Sequence, residues 1–207
     1  ASALWRFAEL NGFDPADYES LHRWSIDRKG EFWSAVWDFC GVIGEKGEVC
    51  FQPDDAAWMT GARFFPQARL NLAENLLRGD DMARAVLAMD EPGQVLTLTR
   101  GELKAKVAKV AHGLRAAGVK PGDRVAGVQP NDIDALVALL ATLSIGGTWT
   151  SCSPDFGEAA IVDRIGQVEP KVLFAAPLYR YGGKRHDVSE RIRAVMGKLP
   201  SVTTLIV

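Results

Sequence analysis

The residues with most capacity for chemistry are concentrated in two short runs. The first is YRYGGKRHD, residues 179–187, where Arg180, Lys184 and Arg185 surround Gly182-Gly183. Guanidinium and ammonium groups form charge-assisted hydrogen bonds with phosphate oxygens, and glycines let a backbone approach a ligand closely. The plain alternative is a flexible loop carrying solvated charge. The second run is TWTSCSPDFG, residues 148–157, which starts as a β-type segment and breaks at Ser153, Pro154, Asp155 and Gly157. Pro, Asp and Gly suit a tight turn for purely local reasons. Ligands of open parallel α/β sheets, however, sit just beyond the carboxyl ends of the strands, where such a break would lie. If TWTSC and KVLFAA (171–176) are sheet neighbours, both runs share one rim.

Other chemical signatures are sparse. Gly182-Gly183-Lys184 resembles the tail of a phosphate loop, but Leu178 stands where the first Gly belongs and Arg185 replaces Ser or Thr. Gly-x-Gly-x-x-Gly, Gly-x-Ser-x-Gly and His-Glu-x-x-His do not occur. His22, His112 and His186 are far apart, and His112 falls on the polar side of its segment. The chain therefore presents no catalytic group and no metal-ligating set.

The elements that must position the two runs alternate from residue 84 onward. ARAVLAMD and VLTLT are strands joined by Glu91-Pro92-Gly93, a hairpin signal. Thr99 and Glu102 form a capping box. Leu103, Val107, Val110, Leu114 and Ala117 then recur at helical spacing, with Gly118 at the helix-ending position. RVAGVQ, TWTSC and KVLFAA read as strands, separated by a helix that Asp132 caps and by EAAIVDRIGQV. The expected fold is α/β, a mainly parallel sheet flanked by helices with right-handed crossovers, preceded by a helical Trp-rich cap.

That cap, residues 1–79, contains five of the six tryptophans. Trp24, Trp33 and Trp37 stand near helical spacing with Leu21, a pattern that predicts buried core rather than a ligand box. In the next segment Arg63-Phe64-Phe65-Pro66 should be extended ahead of the proline. A short helix is expected through Leu70, Ala73, Leu76 and Leu77, capped and solvated by Asn71, Glu74 and Asn75.

Composition narrows the partners. With 24 Lys+Arg against 26 Asp+Glu the net charge is -2, which argues against a basic nucleic-acid or membrane surface. Three cysteines without Cys-x-x-Cys indicate neither a disulfide framework nor zinc, and fit a reducing, cytoplasmic setting. No apolar run reaches the roughly 18 residues that span a bilayer. The chain begins at Ala1 and ends within the β-type run SVTTLIV, so a fragment of a longer protein is expected.

Several stretches resemble the adenylate-forming acyl-CoA synthetases: LHRWSIDRKGEFWSAVWDF, FFPQARLNLAENLL, the run from LTRGEL to VQPN, and SCSPDFGEAAIVDRIGQVEPKVLF with YRYGGKRHDV. The third is common to that superfamily. The Trp-rich cap with Pro66, Leu70, Asn71 and Asn75 points to its acetyl-CoA-synthetase-like branch, and SCSPDFG with YGGKRHDV resembles the acetoacetate–CoA ligases.

The resemblance implies residues 1–79 as an N-terminal cap and 80–207 as the first part of an AMP-binding domain. It implies a two-step reaction, in which ATP and acetoacetate give an acyl-adenylate and coenzyme A then displaces AMP, with Mg accompanying ATP. The phosphate loop, the ribose-binding Asp and the catalytic Lys of the family lie downstream of the resembling stretches, so this segment should be inactive alone and bind none of these groups. Its partners are small-molecule substrates, the remainder of its large domain and a C-terminal domain, with no nucleic acid and no membrane. By resemblance, Ser153, Pro154, Asp155, Arg180, Lys184 and Arg185 meet the 3′-phosphate end of coenzyme A. Asp155, where acetyl-type relatives carry Gly, would repel a phosphate unless Lys184 or Arg185 neutralises it. The alternatives are an acetyl- or propionyl-CoA synthetase, or a non-catalytic module binding the CoA nucleotide.

Overall fold

The computed structural model describes residues 1–207 apart from Asp55, Trp58 and Met59. Trp58, counted with the Trp-rich cap, thus lies outside the described residues. The chain forms two compact units, Ala1–Leu70 and Asn71–Val207, dividing earlier than the compositional shift near residue 80.

The first unit opens with helices α1 (Ala3–Leu10), α2 (Tyr18–Asp27) and α3 (Lys29–Phe39). Four two-residue strands follow, β1 (Gly44–Glu45), β2 (Phe51–Gln52), β3 (Arg63–Phe64) and β4 (Arg69–Leu70), with β1 antiparallel to β4 and β2 to β3. Phe7, Ala8 and Leu21 are buried, with Trp24, Phe32 and Phe39 packed on them. The tryptophan stripe is less buried than its spacing predicts: Trp33 is 44% exposed, while Trp24 and Trp37 are half-buried. Arg28, at φ -122° and ψ 50°, ends α2 and begins α3. Trp24 and Trp33 therefore sit on different helices, and one helical period does not connect them. Trp33 and Trp37 instead lie against Phe64 and Phe65, at 6.2 and 5.1 Å between ring centres.

Phe65 departs from the extended conformation expected before Pro66. Its φ is +46°, a costly value for a bulky residue. Its N–H still donates across to the Cys50 carbonyl at 3.1 Å, while its own carbonyl accepts from the Ala68 N–H at 2.9 Å, so the chain turns away from the pairing at this residue.

The second unit begins with α4 (Leu72–Leu77). Asn71 is its N-cap, accepting from the Glu74 N–H at 3.2 Å and donating through Nδ2 to the Leu143 carbonyl at 2.8 Å. Leu70 belongs to β4 and not to the helix as expected, because Asn71 is the extended N-cap and helical geometry starts only at Leu72. β5 (Arg84–Met89) and β6 (Val95–Thr99) form the hairpin read from the sequence.

The rest alternates as expected: α5 (Arg100–Ala116), β7 (Arg124–Val128), α6 (Ile133–Ser144), β8 (Thr148–Cys152), α7 (Glu158–Gly166) and β9 (Val172–Ala175). Then come β10 (Leu178–Tyr181), β11 (Lys184–Asp187), α8 (Ser189–Met196) and β12 (Thr204–Ile206). Both halves of the Thr99/Glu102 capping box are formed. The C-terminus of α5 is closed by the Val119 N–H donating to Leu114 and the Gly118 N–H donating to Arg115, with Gly118 at φ +77°. That left-handed closure is where Gly is favoured.

Four strands form a parallel sheet in the order β12-β9-β7-β8. Period-two alternation sends Val125, Val172 and Phe174 into one core with α5 and α6 residues such as Leu114 and Val137. Ala126, Val128, Leu173 and Ala175 face a second core with Ile161 and Ile165 of α7 and Ile192 and Val195 of α8. The sheet is thus covered on both faces, which is why its central strands read as continuous apolar runs.

Candidate functional site

The order of the strands creates the site. β7 and β9 are neighbours, but the chain leaving β7 passes through α6 to β8 on one side, while the chain leaving β9 passes through α8 to β12 on the other. α6 and α8 cover opposite faces. Connections that part in this way leave a crevice beyond the carboxyl ends of the strands. TWTSC and KVLFAA are accordingly not direct neighbours, since β7 lies between them. All three strands are parallel, so their following loops still reach one rim.

At that rim lies a cleft of about 830 Å³. It is lined by Pro130–Asp134 after β7, Ser153–Asp155 after β8, Tyr179–Tyr181 of β10, the β5–β6 hairpin and Lys106 of α5. A cavity of similar volume, about 850 Å³, lies in the first unit and is lined by Glu31 and Asp38 without a cation. Of these two, the cleft at the strand ends is the one whose described lining combines aromatic rings, hydroxyls and cations.

Of the six residues singled out from sequence, Ser153, Pro154, Asp155 and Arg180 line this cleft, and Lys184 and Arg185 do not. The basic run is also not a flexible loop. β10 and β11 form a hairpin in which Arg180 is opposite Arg185, Tyr181 opposite Lys184 and Tyr179 opposite His186. Its two-residue turn is Gly182-Gly183, at φ +59° and +74°, a turn whose twist matches the strands and which Gly tolerates best. Like charges opposite one another are unfavourable in a ladder, so Arg180 and Arg185 place a concentrated positive field on one hairpin face. The Tyr179 and His186 rings stack at 4.9 Å on the other.

Pro154 is fully buried, while Ser153 and Asp155 are exposed. The bend is held from below by Arg191, whose Nη1 donates to the Pro154 carbonyl at 2.9 Å and the Phe156 carbonyl at 3.1 Å. The Arg164 guanidinium lies over the Phe156 ring at 4.6 Å. Among the described residues Asp155 makes no ion pair with Lys184 or Arg185.

Two carboxyls at the cleft are shifted in opposite directions. Glu91 accepts from the N–H groups of Gly182 at 2.8 Å and Gly183 at 3.0 Å. These bonds, that from Gly183 foremost, hold its carboxyl below the usual range. Asp132 N-caps α6 by accepting from Ala135 at 2.9 Å. Although it opens onto the cleft, the protein around it strips enough water to push its carboxyl up, and the Asp134 charge adds to this. Cys152, buried at the end of β8, is pushed up by desolvation, which disfavours a nucleophilic thiolate. Glu91 is marked in the sequence only as part of a turn, and Lys106 and Arg191 are not marked at all. Glu91 and Arg191 act through contacts between distant segments, and Lys106 reaches the cleft only through the fold, so no local motif signals them.

The AMP-binding enzyme family matches residues 80–207. The chain is 46% identical to acetoacetyl-coenzyme A synthetase of Rhizobium meliloti (strain 1021), over 92% of this chain and 29% of that protein. It is 37% identical to malonamoyl-CoA synthetase of Penicillium aethiopicum, over 100% of this chain and 30% of that protein. The solved structure of acetoacetyl-CoA synthetase from Streptomyces lividans superposes with a TM-score of 0.90 at 40% identity, covering 99% of this chain and 32% of that one. The chain therefore spans about 30% of the length of these relatives. With more than half of its residues matched, including every element that builds the cleft, the chain belongs to the AMP-binding enzyme family.

Proposed function

We propose that the chain is the N-terminal part of an ATP-dependent acetoacetate–CoA ligase and that its strand-end cleft receives the nucleotide end of coenzyme A. The observation carrying this reading is the meeting of the Ser153–Asp155 bend and Arg180 at the parting point of a parallel sheet. It occurs in a chain 46% identical to an acetoacetyl-coenzyme A synthetase. The cleft lining holds the carboxylates Asp90, Glu91, Asp132, Asp134 and Asp155 against the cations Lys106 and Arg180. A phosphate is repelled by most of that wall, so the reading places it at the hairpin. There Arg180 supplies charged donors, and Lys184 and Arg185 add to the field without lining the cleft. Ser153 offers a hydroxyl, and Pro154 fixes the bend that presents it.

Adenylation in this reading belongs to the rest of the large domain and a C-terminal domain, and the protein works in the cytoplasm on small molecules. Mg²⁺ would come with the phosphates of ATP, as that ion usually does. Among the described residues no group of three or more His, Cys, Asp or Glu side chains is arranged to hold a metal.

The similarity to a malonamoyl-CoA synthetase over the whole chain favours one second reading, a ligase for another short acid carrying a β-carbonyl group. Acid-dependent ATP–pyrophosphate exchange by the full-length protein separates the two. The proposal expects the highest kcat/KM with acetoacetate among acetoacetate, malonamate, acetate and propionate. A higher value with any of the others would replace the acid, and no exchange with any of them would remove the ligase reading.

A further inference from the structure

The turn of one hairpin is gripped by the turn of another. Glu91 stands at the tip of β5–β6, and its two carboxylate oxygens take the N–H groups of Gly182 and Gly183 at the tip of β10–β11, ninety-one residues away in sequence for the first contact. Successive backbone N–H groups in a turn form a concavity that receives an anion. The Gly182-Gly183 turn has that form, and a carboxylate of this chain occupies it.

The contact matters for what the hairpin carries. β10 and β11 pair only with each other among the described strands. Their base is anchored where Val188 is buried in the second core and Tyr179 packs against that core. Glu91 supplies the second tie, at the far end, and two ties fix the tilt of a two-stranded ribbon that one leaves free to swing. Arg180 lies between them, lining the main cleft and also a smaller cavity of about 420 Å³ shared with Glu91, Pro92 and Gly183.

We infer that Glu91 is a positioning residue for coenzyme A: by holding the Gly182-Gly183 tip it keeps Arg180 at the rim of the cleft. This role rests on the reading that the cleft takes the nucleotide end of coenzyme A. Glu91 acts through the hairpin and has no part in the acyl transfer.

The test uses the full-length protein with Glu91→Gln, which keeps the size and removes the charge, and Glu91→Ala. Hydrogen exchange of the peptide spanning residues 178–187 reports the tie itself, without reference to any substrate. Both variants should exchange faster there, Ala more than Gln. The KM for coenzyme A should rise roughly three- to tenfold, as for lost charge-assisted hydrogen bonds at an exposed position. Acetoacetate-dependent ATP–pyrophosphate exchange, which does not involve coenzyme A, should keep its kcat and its KM for acetoacetate. Unchanged hydrogen exchange in both variants would show that the tie does not exist. Faster hydrogen exchange with an unchanged KM for coenzyme A would show that the tie does not position the cation. A KM for coenzyme A that Arg180→Ala leaves unchanged would remove the underlying reading and this role with it, whatever Glu91→Gln does to the hydrogen exchange.

Discussion

Arg191 donates through one nitrogen to the Pro154 carbonyl at 2.9 Å, so helix α8 holds in place the bend that ends β8. The same nitrogen serves Phe156, and these carbonyls would otherwise face a partly buried space. Arg191→Met keeps much of the side chain and removes the donors. It should cost about 1–3 kcal/mol, the usual scale for stranding partly buried acceptors. Arg191→Lys should recover part of this through a single donor. A lower urea midpoint at unchanged slope checks the expectation, and a midpoint matching wild type would show that water satisfies both carbonyls.

Two glycines, one inside α5 and one just past its C-cap, should respond oppositely to alanine. Gly113 lies within α5, and an added Cβ would meet nothing within 4 Å. Gly113→Ala should therefore stabilise by roughly 0.5–1 kcal/mol through helix propensity. Gly118 has comparable room, its nearest neighbour being Lys171 Nζ at 3.5 Å, but its φ is +77°. Gly118→Ala should destabilise by about 1–2 kcal/mol, the cost of the left-handed conformation. Unfolding curves for the pair give the signs directly, and equal effects would place the cost in packing instead of backbone.

Asp132 should oppose the other shifted carboxylates in its dependence on pH. A carboxyl whose pKa rises on folding holds its proton more tightly in the native state, so it removes stability as pH increases from the ordinary 3.8 through the raised native value. Asp17, Glu91, Asp123 and Asp187 are shifted down. Their contributions are present above the ordinary carboxylate range and are lost as pH falls through the lowered native values. Asp132→Asn keeps an N-cap acceptor without the charge. Its stability relative to wild type should rise with pH across the window just above 3.8 and then level off. Asp132→Ala should lose about 0.5–2 kcal/mol with the cap. Unfolding measured from about pH 3 to pH 7 tests the difference; a relative stability of Asp132→Asn that falls with pH would contradict an upward shift of the Asp132 carboxyl.

Local chemistry makes much of the second unit legible. Thr99 with Glu102, Gly118 and Asp132 mark helix ends through groups a few residues apart, and the apolar runs of β7 and β9 follow from burial on both faces. The strand order is not legible, because nothing within TWTSC or KVLFAA states that β7 lies between them. The basic hairpin reads as a loop since its strands, Leu178–Tyr181 and Lys184–Asp187, are short and largely exposed, which hides the alternation that burial would impose. The tryptophan stripe misleads because Arg28 splits one apparent helical period into two helices. Glu91 and Arg191 act across 91 and 37 residues of sequence, and such contacts leave no local signal.

The most direct measurement is the ratio of KM for dephospho-CoA to KM for coenzyme A in the full-length protein, with and without Arg180→Ala. If Arg180 meets the 3′-phosphate, the wild type should prefer coenzyme A. The substitution should raise the KM for coenzyme A by about fivefold to a hundredfold, equivalent to about 1–3 kcal/mol for a charged contact, with the lower part of that range expected at this exposed rim. The KM for dephospho-CoA should change little, so the ratio should approach one. The double substitution Lys184→Ala/Arg185→Ala, at positions outside the cleft lining, should move the ratio less. A ratio unaffected by Arg180→Ala, with acetoacetate-dependent ATP–pyrophosphate exchange lost in its place, would contradict the coenzyme A role and assign the hairpin to adenylation or to the fold.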